Sequence, residues 1–294
     1  MSPCRKLLCF VIVLLSFGRL HAQMNPDWIT PVAPFRIADN LYYVGSRDLA
    51  SYLVVTPAGD ILINSNLQSS VPQIRHSVER LGFRFSDIKI LLISHAHSDH
   101  AGGSAAILKQ TGAKYMVMDA DVPTIQDGGR SDFAYGGRQL MPPAHVDRVL
   151  RDGDEVKLGG SVLVAHKTAG HTRGCTTWTM RVRDNGKPRD VVIVGSWNVL
   201  SEYRLVATAT RPASYPGIAQ DFAHGFEVLH SLPCDIFLGA HGGYFEMKEK
   251  LSRMATEGSA VWLDPEGYKR AVAEHQKEFE DKLAKQRHEG TSAR

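Results

Sequence analysis

Three histidines and an aspartate lie within six consecutive residues, directly after the apolar run 90–93. These four residues are His95, His97, Asp99 and His100. Burying so many neighbouring imidazoles is costly unless something binds them, and neutral imidazole and carboxylate are normal zinc ligands. One short loop cannot place four ligands around a single ion and still leave room for a substrate. The spacing therefore favours two metal ions, with the first two histidines on one and the aspartate and third histidine on the other.

Each ion then needs a ligand from elsewhere in the chain, and two further histidines also follow predicted strands. His171 stands in Ala-Gly-His-Thr after the strand near 162–168, and His241 stands in Gly-Ala-His-Gly-Gly after the strand 236–238. In α/β folds, functional groups collect at the C-terminal ends of strands. We therefore expect the three ligand segments to meet at one edge of the fold.

Short β-branched runs alternate with helical patterns along the chain. Strands are predicted at 52–55, 61–63, 90–93, 115–118, 162–165, 177–182, 191–194 and 236–238. Helices are predicted near 71–81, 103–111, 218–231, 244–256 and 265–287. Neither a repeat nor a long linker interrupts this pattern, which predicts one α/β domain built from stacked layers.

Residues 1–22 have the pattern of a secretory signal peptide. Arg5 and Lys6 precede the eleven-residue apolar segment 7–17, and the small Ala22 ends the pattern. Eleven residues are about half of the ~20 that span a bilayer. The sequence thus predicts export to the periplasm with cleavage after Ala22, no stable membrane anchor, and a single domain over 23–294.

Charge gives no support for a nucleic-acid or membrane-surface partner. The full chain has a formal net charge of +3, with 34 basic and 31 acidic residues. Three of the basic residues and none of the acidic ones lie in the predicted signal peptide. The remaining chain is formally neutral, whereas binding to such polyanions relies on an excess of basic side chains.

Two cysteines, Cys175 and Cys234, lie outside the predicted signal peptide. In an oxidising compartment they would form either one disulfide or two free thiols. The sequence leaves both possibilities open.

The segment 127–143 contains four glycines, two prolines and large apolar side chains, among them Phe133, Tyr135 and Met141, without helical or strand periodicity. This composition predicts a long exposed loop. Apolar groups on an exposed loop are explained most simply by contact with a ligand, so Phe133 and Tyr135 are predicted to contact substrate. The alternative is that they pack onto the domain and only anchor the loop.

The motif His-x-His-x-Asp-His at 95–100, the Gly-His-Thr around His171 and the late His241 resemble, in this order, the signature of the metallo-β-lactamase superfamily. The resemblance covers essentially the whole chain after residue 22. It implies an αββα sandwich, in which two mixed β-sheets pack face to face with helices on the outer faces. It also implies two Zn²⁺ per chain, bound at one rim by His95, His97 and His171 and by Asp99, His100 and His241.

The segment after the strand 191–194 distinguishes members of this superfamily. Thiolester hydrolases of the glyoxalase II type have a bridging aspartate there, whereas this chain has Gly-Ser-Trp-Asn from residue 195. One β-lactamase subclass has a cysteine ligand in this segment and another replaces the first histidine by asparagine, and neither pattern occurs here. The chain therefore resembles class B, subclass 3. Such members use serines to hold the substrate carboxylate, for which Ser196 and Ser201 are the candidates.

The resemblance implies an enzyme of antibiotic resistance that hydrolyses the β-lactam amide of penicillins, cephalosporins and carbapenems. The reaction would use a metal-bound hydroxide, with Asp99 orienting the nucleophile, and the enzyme would act as a monomer on a small-molecule substrate. One alternative is a lactonase or another ester or thiolester hydrolase, against which the missing aspartate counts. The other is a non-enzymatic zinc module, against which three ligands per ion count, because they leave positions open for substrate.

Overall fold

Two mixed β-sheets pack face to face in the computed structural model, which describes residues 25–292. The first sheet has its neighbours in chain order: β1 (Phe35–Ala38), β2 (Leu41–Tyr43), β3 (Tyr52–Thr56), β4 (Gly59–Ile63), β5 (Ile88–Leu92), β6 (Lys114–Met118) and β7 (Arg148–Leu150). The second sheet runs in chain order from its edge strand: β8 (Glu155–Leu158), β9 (Ser161–Lys167), β10 (Thr176–Asp184), β11 (Lys187–Val194) and β12 (Ile236–Gly239). Strands β4 to β7 pair in parallel, as do β11 and β12, and the other pairs are antiparallel.

Helices cover the outer faces of both sheets. They are α1 (Val71–Arg80), α2 (Ser98–Ala101), α3 (Ser104–Thr111), α4 (Val122–Asp127), α5 (Ile218–Ser231), α6 (Met247–Glu257) and α7 (Pro265–Ser292). Helix α1 buries Val71, Ile74 and Val78, three and four residues apart, which is the spacing of one helical face. Helices α5 and α7 pack together beside the second sheet, where the rings of Phe222 and Phe279 stack 5.5 Å apart.

Successive side chains along the central strands point to opposite faces of the sheet and so pack in two separate cores. Val54 in β3 and Leu92 in β5 join Trp178 of the second sheet in the core between the sheets. Their neighbours Leu53 and Leu91 instead pack with the apolar faces of α1 and α3. Because the first sheet buries both faces at its centre, its central strands β3 to β5 are mostly apolar. The predicted αββα sandwich is confirmed.

All eight predicted strands and all five predicted helices are present, with ends shifted by a few residues. Strands β1, β2, β7 and β8 were not predicted, because runs of three or four residues are too short to show a period. The helix predicted from residue 244 begins at Met247, since 242–245 form a 3₁₀ turn after His241.

The described residues settle one open question and leave another outside their range. Cys175 and Cys234 are both free thiols, so no disulfide joins them. The predicted signal peptide lies outside the described residues and remains a prediction. Within 25–292, none of the helices has the length and apolar character needed to cross a membrane.

Candidate metal centre

The predicted ligand segments meet at one rim of the sandwich, each directly after a strand. The cluster 95–100 follows β5, His171 lies in the turn between β9 and β10, and His241 follows β12. The rings of His95, His97 and His171 are buried, and their centroids lie 4.6–4.9 Å from one another. One candidate ligand atom from each of these three lies within 4.8 Å of the others. The first predicted set of ligands is therefore assembled.

The second set forms a smaller triangle. Nε2 of His100 lies 3.1 Å from Nε2 of His241, and Oδ2 of Asp99 lies 3.3 Å and 3.6 Å from these two nitrogens. Ligands at about 2.0–2.1 Å from a tetrahedral zinc ion are separated by about 3.3 Å. The triangle therefore has the dimensions of one face of a metal coordination sphere. The ring of His95 lies 4.3 Å from that of His100, so the two sets adjoin.

Buried nitrogen atoms without partners show that a metal ion fits this centre. Within 25–292, both ring nitrogens of His95, Nε2 of His97 and Nδ1 of His100 are buried without a hydrogen bond. Native structures rarely leave buried polar groups unsatisfied. At His95, which belongs to both groups of candidate ligands, a bound cation would supply the missing partner of one ring nitrogen.

The protonation states of the cluster also suit a cation. Burial, followed by the neighbouring His97, lowers the pKa of His171 to about 3. Burial likewise lowers the pKa of His95 and His100. These imidazoles are therefore neutral at pH 7, as metal binding requires.

In the second ligand set, neighbouring charged groups outweigh the effect of burial on the pKa values. Burial would raise the pKa of Asp99, but its neighbours His100 and His241 hold that pKa below the usual range. Burial would lower the pKa of His241, but Asp48 and Asp99 raise it. The second set thus carries an ionised carboxylate next to a histidine whose own protonation the two aspartates favour.

Two of the histidines are oriented by acceptors on the side away from the metal. Nδ1 of His171 donates to the carbonyl oxygen of Asn198 at 2.8 Å, and Nδ1 of His241 donates to Oδ2 of Asp48 at 3.0 Å. Both acceptors lack a proton, so each histidine carries a proton on Nδ1, and Nε2 is the nitrogen that could bind a metal. Asp48 is itself held by the indole of Trp28 at 3.1 Å and the backbone N–H of Gly243 at 3.1 Å.

Asp121 ties two of the ligand segments together. Its buried carboxylate accepts hydrogen bonds from the backbone N–H of Ala96 at 2.9 Å, the hydroxyl of Thr172 at 2.8 Å and the backbone N–H of Gly174 at 2.8 Å. The first partner belongs to the 95–100 cluster, and the other two follow His171. One side chain thus sets the distance between two metal-ligand segments.

Gly170 has a steric role in the turn that carries His171. Its φ of +136° is a backbone conformation that L side chains rarely adopt. A Cβ there would lie 2.6 Å from the ring of Phe222 in α5. The glycine of the Gly-His-Thr motif is therefore required for close packing between this turn and the helix.

The last helix supports the segment that follows β11. Nζ of Lys282 in α7 donates to the carbonyls of Val199 and Leu200. The side chain of Gln286 accepts from the N–H of Leu205 at 2.7 Å and donates to the carbonyl of Tyr203 at 2.7 Å. The hydroxyl of Tyr203 in turn donates to the carbonyl of His171 at 2.6 Å. Helix α7 thereby fixes one wall of the metal centre.

The two serines predicted to hold substrate lie in different surroundings. Ser196 is buried, and its Oγ lies 3.1 Å from the hydroxyl of Tyr244, whose ring is 5.2 Å from that of His241. Ser201 is exposed and donates to Glu202 at 2.9 Å. Ser196 is thus connected to the metal centre through one tyrosine, and Ser201 points to a surface carboxylate. Both substrate contacts remain predictions.

The loop 128–143 is less exposed than its composition predicts. Asp132, Ala134 and Met141 are buried, so the expectation of an exposed loop is wrong for these positions. The ring of Phe133 packs 5.2 Å and 4.8 Å from those of Tyr203 and Tyr215. The ring of Tyr135 instead lies 4.9 Å from that of His97. The loop lies against the first ligand set because these side chains have partners on the domain.

These contacts give Phe133 and Tyr135 different expected phenotypes. We expect Tyr135→Ala to raise KM several-fold with little change in kcat, since its ring borders the metal centre. We expect Phe133→Ala to lower the melting temperature, because it removes an aromatic ring that packs on two tyrosines. Steady-state kinetics and thermal unfolding of both variants test this pair. A Tyr135 variant with unchanged KM would exclude its predicted substrate contact.

Several residues of this centre were not predicted from the sequence. They are Trp28, Asp48, Asp121, Asp132, Asn198, Tyr203 and Tyr244. Asp48 and His241, for example, are separated by 193 positions along the chain. No local spacing connects partners so far apart, so only their contact in the fold identifies them.

Comparison with known proteins agrees with this geometry. Residues 47–184 match the sequence profile of the metallo-β-lactamase superfamily. The chain is similar to the FEZ-1 metallo-β-lactamase from Legionella gormanii, with 52% identity over 88% of this chain and 98% of that one, and a TM-score of 0.85. It is also similar to the class B3 di-zinc metallo-β-lactamase LRA-12 from an Alaskan soil metagenome, with 36% identity over 88% and 97% of the two chains and a TM-score of 0.82.

A curated relative is matched over a shorter region. The chain is 30% identical to a probable metallo-hydrolase of Burkholderia pseudomallei over 38% of this chain and 37% of that protein. The solved structures, in contrast, are matched over nearly their whole length. By fold, by the arrangement of its histidines and by this likeness, the chain belongs to the metallo-β-lactamase superfamily.

Proposed function

We propose that this protein is a zinc-dependent β-lactamase that hydrolyses penicillins, cephalosporins and carbapenems. The observation that carries the proposal is the pair of three-ligand sets at one rim, next to a segment 195–201 without carboxylate or thiol. Superfamily members that cleave thiolesters resemble glyoxalase II in having a bridging aspartate there. The similarity to FEZ-1 and LRA-12, both described as metallo-β-lactamases, supports the same activity.

The cofactor in this proposal is a pair of zinc ions. His95, His97 and His171 would hold the first, and Asp99, His100 and His241 would hold the second. Bound zinc lowers the pKa of water from 15.7 to about 7 and polarises carbonyl oxygens. Three protein ligands per ion leave room for water and substrate, as in other catalytic zinc sites.

The protein's own residues hold this chemistry in place. Asp99 is ionised and therefore only accepts hydrogen bonds, so it would orient the attacking water by accepting a hydrogen bond from it. The hydrogen bonds from His171 to Asn198 and from His241 to Asp48 keep both imidazoles aimed into the centre. Of the two serines proposed to bind the substrate carboxylate, Ser196 is the one linked to the centre, through the hydroxyl of Tyr244.

The test is an assay of the purified 23–294 protein with nitrocefin, a penicillin and a carbapenem. We expect about two zinc ions per chain by metal analysis, complete loss of turnover in excess EDTA and recovery on adding zinc. Clavulanate should not inhibit, because the proposed reaction uses no serine nucleophile.

Three outcomes would contradict the proposal. Full activity in EDTA would exclude metal catalysis, and a single zinc ion at saturation would exclude the paired site. Turnover of a homoserine lactone without turnover of any β-lactam would favour the lactonase alternative.

A further inference from the structure

The unpartnered ring nitrogen of His97 faces a carboxylate from the loop 128–143. Nε2 of His97 is buried without a hydrogen bond, and Oδ1 of Asp132 lies 3.6 Å from it. The two side chains are 3% and 5% exposed. An N–H···O hydrogen bond would require these two atoms to approach by about 0.5 Å.

The loop itself holds Asp132 in this position. Oδ2 accepts the backbone N–H of Tyr135 at 2.9 Å, and Oδ1 accepts that of Ala134 at 3.3 Å. The ring of Tyr135 lies edge-on to the imidazole of His97, 4.9 Å away. One turn of the loop thus places two side chains against a single predicted ligand of the first metal.

Asp132 lies next to a different ring nitrogen from the one that holds His171 and His241 in place. Those two histidines are held through Nδ1, which leaves Nε2 for the metal. At His97 the carboxylate lies next to Nε2. A proton on Nε2 leaves Nδ1 as the unprotonated nitrogen, and only an unprotonated nitrogen binds a metal.

We propose that Asp132 is a positioning residue, which accepts the Nε2 proton of His97 so that Nδ1 faces the first metal, and so couples occupancy of that site to docking of the loop 128–143. The inference rests on the metal centre of the proposed function. A carboxylate behind a ligating histidine fixes its tautomer and raises its basicity. The coupling is reciprocal: if Asp132 strengthens metal binding, metal binding must strengthen docking of the loop by the same free energy.

Trypsin cleavage within the loop 128–143 can measure this coupling. Arg130 and Arg138 are both exposed, so trypsin can cleave there when the loop leaves the domain. Zinc should therefore slow cleavage at these two arginines in the wild-type protein. The measurement needs no substrate, so it is independent of the activity proposed above.

The variant is Asp132→Asn, and its matched control is Asp127→Asn. An amide at position 132 can turn an N–H toward Nε2 of His97, which disfavours a proton on that nitrogen. The proton then moves to Nδ1, which can no longer bind the metal. Asp127 accepts backbone N–H groups of Gly129, Arg130 and Ser131 in the same loop, and no contact links it to His97. The control therefore perturbs the loop without changing the contacts of His97.

We expect Asp132→Asn to weaken binding of one zinc ion by about 10–100-fold, measured by chelator competition, and to abolish zinc protection against trypsin. Asp127→Asn should keep both zinc affinities and the protection. Equal zinc affinity and equal protection in the Asp132 variant and wild type would overturn the inference, as would a wild-type protein that binds no zinc. If the affinity falls but nitrocefin is not hydrolysed, the inference stands and the proposed substrate is wrong.

A second measurement does not depend on how the variant folds. Long-range ¹H–¹⁵N spectra of the zinc-loaded wild-type protein report which ring nitrogen of each histidine carries the proton. We expect the proton of His97 on Nε2 and those of His171 and His241 on Nδ1. A proton on Nδ1 of His97 would overturn the inference.

Discussion

Replacing His171 by alanine is expected to remove one zinc ion and to lower kcat/KM for nitrocefin by more than about 100-fold. The reason is that His171 completes the first candidate ligand set with His95 and His97, so its loss would leave only two protein ligands for that ion. Changes behind the ligands already cost about 10–100-fold in affinity or activity, so loss of a ligand should cost more. Metal analysis after dialysis and steady-state kinetics measure the two effects.

The matched control for this variant is His166→Ala. His166 lies five residues earlier on β9, is half-buried, and has its Nε2 2.8 Å from the hydroxyl of Thr179. Its loss should leave two zinc ions and near wild-type kinetics. A His171 variant that keeps two ions and full activity would show that the ligands are wrongly assigned. Asp99→Asn should instead weaken binding of the second ion, because it removes the negative charge of the carboxylate in that ligand set.

Replacing Asp121 by alanine is expected to destabilise the metal-free protein by about 3 kcal/mol. The variant leaves three buried donors, on Ala96, Thr172 and Gly174, without their acceptor. Each such loss costs about 1–3 kcal/mol. Burial raises the pKa of Asp121, which means that the buried charge itself is unfavourable, so we take the lower end of the range. Urea unfolding at pH 7 without zinc measures the change, since bound zinc would add its own stabilisation.

Asp121→Asn provides the comparison that isolates the hydrogen bonds. Asparagine has nearly the same shape, but only one of its two terminal atoms accepts. It should therefore lose about 1–2 kcal/mol, less than alanine, and both variants should bind zinc more weakly than wild type because the ligand segments lose their tether. An alanine variant within 0.5 kcal/mol of wild type, a margin of about the size expected for surface changes, would show that Asp121 does not hold the two segments together.

The candidate metal ligands could be proposed from the sequence because residue type and spacing are local features of the chain. Four of them lie within six residues, and the other two stand in short glycine-rich turns after apolar strands. The structure brings all six together at one rim. The loop 128–143 was predicted only in part, because composition shows the absence of a period but not which side chains find partners on the domain. Phe133 and Tyr135 thus face different surroundings two residues apart.

The amino-acid order by itself determined the fold class, the superfamily and the candidate ligands, since periodicity and ligand spacing act over a few residues. Only the tertiary structure decided which atoms the ligands present and what holds them. The acceptor of His241 is 193 positions away, and Asp121 joins one partner 25 positions before it to another 53 positions after it. Such contacts form because two packed sheets bring distant strand ends to the same rim. The physical reason is that burial makes each unpaired donor or charge costly, and the nearest acceptor in space is chosen by packing and not by sequence.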